Sequence, residues 1–92
     1  SCSLESLSDY VGYSPSHFSA VFKKKIGTSP INYMIKLRMQ RACELLERTD
    51  LKVNQLCCMV GISDPYYFSK LFVKNIGVSP SVYRREYVNS AP

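Results

Sequence analysis

One pattern occurs twice in this chain, and it constrains the fold more than any other feature. Gly12 to Tyr33 reads GYSPSHFSAVFKKKIGTSPINY, and Gly61 to Tyr83 reads GISDPYYFSKLFVKNIGVSPSVY. Both copies carry a Gly, a cap-plus-proline pair, F-S-x-x-F-x-K, then I-G-x-S-P and a Tyr three residues on. Ser14-Pro15 and Asp64-Pro65 each read as an N-cap side chain followed by proline at the first helical position, where its missing N–H costs nothing. The helices that start there repeat apolar residues at three-and-four spacing: Phe18, Val21, Phe22 and Ile26 in one copy, Phe68, Leu71, Phe72 and Ile76 in the other. Such a stripe is expected to face a core. Gly27 and Gly77 then end these helices, and Ser29-Pro30 and Ser79-Pro80 cap the next ones two residues later. The turns differ in length: Gly12 stands two residues before its cap and Gly61 three, so the second copy has one more turn residue.

A short amphipathic segment precedes each copy. From Ser3 to Val11, Leu4, Leu7, Tyr10 and Val11 fall at helical spacing, with Glu5 favourably placed in the first turn. From Val53 to Val60 the same holds for Val53, Leu56, Cys57 and Val60, with Cys58 beside them. A short helix, a Gly turn and a proline-capped helix make a helix-turn-helix candidate, here with second helices from Pro15 to about Lys25 and from Pro65 to about Asn75. Between the copies, Pro30 to Arg48 has neither Gly nor a further Pro, and Met34, Leu37, Ala42, Leu45 and Leu46 lie on or beside one face together with Arg38 and Arg41. That predicts a continuous helix roughly 27 Å long, a spacer of fixed length, ending where Thr49-Asp50 opens a loop. After Pro80 one more helix should run through Tyr83 to about Tyr87, with 89–92 fraying. No alternating β-signal appears. The expectation is an all-α chain of six helices: two helix-turn-helix units, about 3–29 and about 51–88, joined by a long linker helix, about 30–48. A simple bundle would need neither the matched glycines nor the repeated caps.

Ninety-two residues suffice for one small domain or two very small ones, without a large enclosed active site. Twelve Lys plus Arg against seven Asp plus Glu give a net charge of +5, which favours an anionic partner, nucleic acid or an acidic membrane. No run approaches the roughly 20 apolar residues of a membrane span and no signal-peptide pattern opens the chain, so a cytoplasmic protein is expected. Of the four cysteines, Cys57 and Cys58 are adjacent and lack C-x-x-C spacing, and His17 is the one histidine. Cys2, Cys43, Cys57 and Cys58 are therefore expected to be reduced and mostly buried, with no metal site. One His and scattered acids assemble no nucleophile, base and orienting group, so no enzyme, catalytic residue or cofactor is expected. RNA binding is disfavoured because no sheet carries base-stacking aromatics.

Opposite the Phe stripe, 100° steps place Ser16, Ala20 and Lys23 on the first capped helix, flanked by His17, Ser19 and Lys24. The second presents Tyr66, Lys70 and Val73, flanked by Tyr67, Ser69 and Lys74. Small polar residues near a helix N-terminus with lysines toward its other end suit insertion in a major groove. Each feature also has a structural reading. Lys23-Lys24-Lys25 can be a solvated helix end favoured by the dipole, Tyr66-Tyr67 can be packing, and Tyr33 and Tyr83 belong to the core. Arg38 and Arg41 can pair with Glu44, Glu47 or Glu5, the reading favoured for Arg38.

The run G-I-S-D-P-Y-Y-F-S-K-L-F-V-K-N-I-G-V-S-P-S-V-Y-R closely resembles the signature of the AraC/XylS family of bacterial transcription regulators. The middle segment L-R-M-Q-R-A-C-E-L-L is similar to that family's linker helix, and the resemblance covers Leu4 to Arg84. It implies binding to double-stranded DNA through two recognition helices in successive major grooves. Carried over by position, base-reading residues would be Ser16, Ser19 and Ala20 in the first unit and Pro65, Tyr66, Ser69 and Lys70 in the second. Among these, Lys70 alone has a strong preference, for guanine O6 or N7, and Ala20 could at most touch a thymine methyl. Ser16 and Ser19 serve several bases, which leaves selectivity there to water or DNA shape. Phosphate anchoring would come from His17, Lys23, Lys24, Tyr67, Lys74 and the helix N-termini capped by Ser29 and Ser79. Members of the family usually have a further helix before the first unit and a separate sensing or dimerisation domain; both are expected to be missing here. The reading therefore expects no small-molecule ligand, a monomeric chain and an asymmetric or tandem DNA site. The alternative is a protein-interaction module docking onto the transcription machinery, such as RNA polymerase, favoured by the apolar Tyr66 and Val73.

Overall fold

Among the described residues, four of the six helices begin at a cap followed by proline, and in each the cap side chain accepts a hydrogen bond from the helix's first turn. In the computed structural model, which describes residues 4–88, the Oγ atoms of Ser14, Ser29 and Ser79 accept from the N–H groups of His17 (3.2 Å), Asn32 (3.2 Å) and Val82 (3.1 Å). Asp64 Oδ1 accepts from Tyr66 N–H at 3.0 Å, one residue earlier in its turn. Each bond satisfies an amide that has no intrahelical partner. The elements are α1 (Leu4–Val11), α2 (Pro15–Ile26), α3 (Pro30–Arg48), α4 (Val53–Met59), α5 (Pro65–Ile76) and α6 (Pro80–Tyr83), the last continued by a π-helical turn over Arg84–Val88. No strand occurs among the described residues. The π turn was not anticipated. Ser3, Cys2, the side chain of Leu7 and the tail 89–92, which carried expectations, lie outside what is described.

The chain forms two compact units, 1–35 and 36–92, which divide inside α3. They differ in how well they close. All nine buried apolar side chains other than proline among the described residues belong to the second: Met39, Ala42, Leu45 and Leu46 of α3, Leu56 and Cys57 of α4 with Val60 after it, and Phe68 and Phe72 of α5. The C-terminal half of α3 is thus a core helix of the second unit as well as a connection. In the first unit α2 buries no side chain completely, and its stripe of Phe18, Val21, Phe22 and Ile26 lines an open cleft of about 330 Å³. Among the described residues the first unit closes no comparable core: Phe18, Val21 and Phe22 are half-buried, Ile26 is 54% exposed, and Tyr10 (91%) and Val11 (47%) of α1 are exposed.

The duplicated aromatics nevertheless adopt one arrangement in both units. Phe18 and Phe22 lie 5.9 Å apart and Phe22 meets Tyr33 edge-on at 5.7 Å; Phe68, Phe72 and Tyr83 repeat this at 5.9 and 5.8 Å. Only the second tyrosine gains further partners. Tyr83 O–H donates to Glu47 Oε2 at 2.5 Å and its ring stacks on Tyr87 at 5.0 Å. The bond to Glu47, with burial second, pushes the Tyr83 phenol well above the ordinary tyrosine range. A raised folded-state value means the protonated phenol favours the fold. That stability is complete below the unfolded value of about 10 and is lost as pH climbs above it. Alkaline titration of absorbance at 295 nm should therefore show one tyrosinate equivalent appearing only together with loss of helical ellipticity. In Glu47→Leu it should appear before unfolding.

Candidate nucleic-acid interface

The Phe stripes, buried on α5 and half-buried on α2, fix which residues of the two helices face out. On α5 the result is a surface of Pro65, Tyr66, Tyr67, Lys70, Val73 and Lys74, all exposed, with Ser69 half-buried at its edge. On α2 it is Ser16, His17, Ala20, Lys23 and Lys24, all exposed, with Ser19 half-buried. Of the residues assigned a base or phosphate role on these helices, all but Ser19 and Ser69 are exposed.

The two faces are built differently. His17 meets Tyr13 edge-on at 4.6 Å, next to the small side chains of Ser16 and Ala20. On α5, Tyr66 is 69% exposed and Lys70 lays its ammonium over the ring, Nζ standing 4.7 Å from the centroid. Residues four apart on a helix are surface neighbours, so the spacing of Tyr66 and Lys70 is the sequence signal for this cation–π pair. Lys23, Lys24 and Lys25 occupy the last turn of α2 and Lys74 that of α5. The ion pairs among the described residues, Arg41–Glu44 (3.4 Å) and Arg85–Glu86 (3.6 Å), involve none of these lysines. Their charge remains available to a polyanion.

Ser29 and Ser79 contribute less directly. Both hydroxyl oxygens already accept a helix N–H, and proline at the first position has none to offer. Helix geometry leaves the second-position amides, of Ile31 and Ser81, as the donors such an N-terminus can extend to a phosphate.

Two arginines have structural roles that sequence reasoning did not find. Arg38 makes no ion pair with the acids expected for it; its Nη1 donates to the carbonyl oxygen of Val60 at 2.6 Å, sealing the end of α4. A carbonyl needs a donor and not a charge, so no acidic partner signalled this contact. Arg84 spreads its guanidinium over three carbonyls at the α3–α4 connection: Nε to Leu46 (3.1 Å), Nη1 to Leu51 (2.6 Å) and Nη2 to Thr49 (2.9 Å). The matching position of the first copy is Met34.

The three described cysteines are free, but not mostly buried. Cys57 is buried, Cys43 half-buried and Cys58 exposed, because consecutive residues of a helix point about 100° apart and only Cys57 shares the direction of Leu56 and Val60. Burial raises the thiol pKa of Cys57 and of Cys43. No group of three or more His, Cys, Asp or Glu among the described residues could hold a metal ion. No helix there is long and apolar enough to cross a membrane.

Residues 7–86 match the family model described as a helix-turn-helix domain. The chain is 40% identical over 82 residues to the MmsAB operon regulatory protein of Pseudomonas aeruginosa, a match covering 89% of this chain and 27% of that protein. It therefore spans under a third of that relative's length. Among solved structures it is similar to a transcriptional regulator with an AraC-type DNA-binding domain from Chromobacterium violaceum, with 28% identity, a TM-score of 0.86, and coverage of 98% of this chain and 80% of that one. It is also similar to the DNA-binding domain of AdpA, a global transcriptional factor crystallised with a target DNA, with 28% identity, a TM-score of 0.87, and coverage of 95% and 78%.

Proposed function

The chain belongs to the AraC-type helix-turn-helix family, and from that premise we propose that it binds double-stranded DNA sequence-specifically as part of a bacterial transcription regulator. The observation that carries this reading is the paired design of α2 and α5: capped by Ser or Asp, opened by proline, apolar on one side, polar and lysine-tailed on the other. The resemblance to a domain crystallised on its target DNA supports it. In this reading α2 and α5 enter successive major grooves, and one chain, acting as a monomer, supplies both. Lys70 meets guanine O6 or N7, while Ser16, Ser19, Ala20, Pro65, Tyr66 and Ser69 line the base edges. His17, Lys23, Lys24, Tyr67, Lys74 and the N-termini at Ser29 and Ser79 hold phosphates.

Lys70→Ala, measured on a duplex selected from random sequence and on a scrambled one, should weaken the first by about 1 to 3 kcal/mol and leave the second nearly unchanged. An equal loss on both would make Lys70 a phosphate contact. If about six phosphates are neutralised, log affinity should fall against log salt with a slope near −5, and a flat response would remove the electrostatic part of the reading. A second reading, docking onto RNA polymerase, is favoured by the exposure of Val73 (44%) on α5, an apolar residue that a purely polar groove contact does not require. Retention of the polymerase with no DNA footprint would decide for it.

A further inference from the structure

The Lys70 ammonium rests on the face of the Tyr66 ring, 4.7 Å from its centroid, and the pair sits at the outward N-terminal half of α5. Both side chains are exposed, so burial does not dictate this arrangement. The first turn is itself fixed, since Asp64 Oδ1 holds the Tyr66 amide at 3.0 Å and places the ring one helical turn before Lys70. We propose that Tyr66 is a positioning residue for Lys70: its ring, not its hydroxyl, holds the lysine chain in the one direction from which the ammonium reaches a base edge. This inference rests on the reading that α5 enters a major groove.

The physical reason lies in the lysine. Four rotatable bonds make it a poor selector, because ordering them opposes binding at the moment of contact. A ring face attracts the ammonium through its charge and leaves N–H donors directed away from the ring for an acceptor such as guanine O6 or N7. The conformational restriction is then present before DNA arrives. The matched positions on α2, Ser16 and Ala20, supply neither ring nor ammonium, so only the second unit has this device.

The test uses the 92-residue chain with the selected and scrambled duplexes, on Tyr66→Phe, Tyr66→Ala, Lys70→Ala and the Tyr66→Ala/Lys70→Ala double variant. Circular dichroism confirms the helix content of each. Tyr66→Phe should bind the selected duplex within twofold of the parent, since the ring face survives. Tyr66→Ala should lose about two- to fivefold there, the range of an exposed cation–π contact, and nothing on the scrambled duplex. In the Lys70→Ala background the Tyr66→Ala change should cost less than it does in the parent, the remainder being the ring's own contact with the base edges. Equal losses in Tyr66→Phe and Tyr66→Ala would assign the contact to the hydroxyl and overturn the proposal. So would additive losses in the double variant, or tighter binding by Tyr66→Ala, which would mean that the ring holds Lys70 back. Lys70→Ala binding the selected duplex as the parent does would overturn the base-reading role of Lys70 itself, and the positioning role with it.

Discussion

Gly61→Ala should destabilise the second unit by about 3 kcal/mol, whereas Gly12→Ala, at the matching turn of the first unit, should cost only about 1 to 2 kcal/mol. Both glycines adopt left-handed backbone conformations, at φ 87° and 77°, so both substitutions carry the same local strain. Their surroundings differ. A Cβ on Gly12 would meet nothing within 4 Å, but one on Gly61 would overlap Arg38 Nη1 and lie 3.0 Å from its Cζ. The guanidinium is the free end of a flexible side chain and can swing aside, so the overlap alone is not costly. Swinging aside breaks its bond to the Val60 carbonyl, and an acceptor left unpaired at a buried residue costs about 1 to 3 kcal/mol. Amide exchange of the core helices α4 and α5 for Gly61→Ala, and of α2 for Gly12→Ala, reads the two losses separately. In an Arg38→Ala background the cost of Gly61→Ala should fall to that of Gly12→Ala. An unchanged cost there would exclude Arg38 from the effect.

Arg84→Met should cost a similar amount, about 3 kcal/mol at roughly 1 kcal/mol for each of three hydrogen bonds. Methionine keeps an unbranched apolar stem in place of the arginine stem and is the residue at the matching position of the first copy, so the substitution isolates the guanidinium. Leu46 lies in the last turn of α3, whose carbonyls have no intrahelical partner, and Thr49 and Leu51 belong to the connection that follows. Thr49 N–H and Oγ1 both donate to Leu45, at 3.0 and 2.7 Å, which leaves the other carbonyls to Arg84. Arg84→Lys should recover at most about 1 kcal/mol, because an ammonium cannot present three donors in a planar fork. Urea denaturation gives the comparison, with the midpoint shifting and the slope held. Full recovery by lysine would show that charge, not the fork, is what this position supplies.

The helices themselves were legible because their signals are local. A cap, a proline and a terminal glycine act within one turn, and α3 runs from Pro30 to Arg48 as the uninterrupted sequence predicts. The outward placement of Tyr66, Lys70, Ser16 and Ala20 followed from the same periodicity. What periodicity could not reveal was how completely each Phe stripe is covered. Phe18 and Phe68 occupy equivalent places in the repeat, yet Phe68 is fully buried and Phe18 only half-buried, since coverage depends on what other elements bring. Arg38 was assigned an acidic partner because opposite charges are the visible signal in a sequence, while a carbonyl acceptor 22 residues away leaves none.

The duplicated pattern by itself determined where helices start and stop, which face of α2 and α5 turns outward, and which side chains those faces offer. These are consequences of bonds closed within four residues and of a 3.6-residue repeat. Only the tertiary structure decided how unequally the rest of the chain supports the two copies. Arg38 reaches across 22 residues to the end of α4, and Arg84 bonds carbonyls 33 to 38 residues away, so that Gly61 is tightly confined where Gly12 is open. Equal local sequence gives equal local geometry, but the cost of changing it is set by groups that the fold brings from elsewhere in the chain.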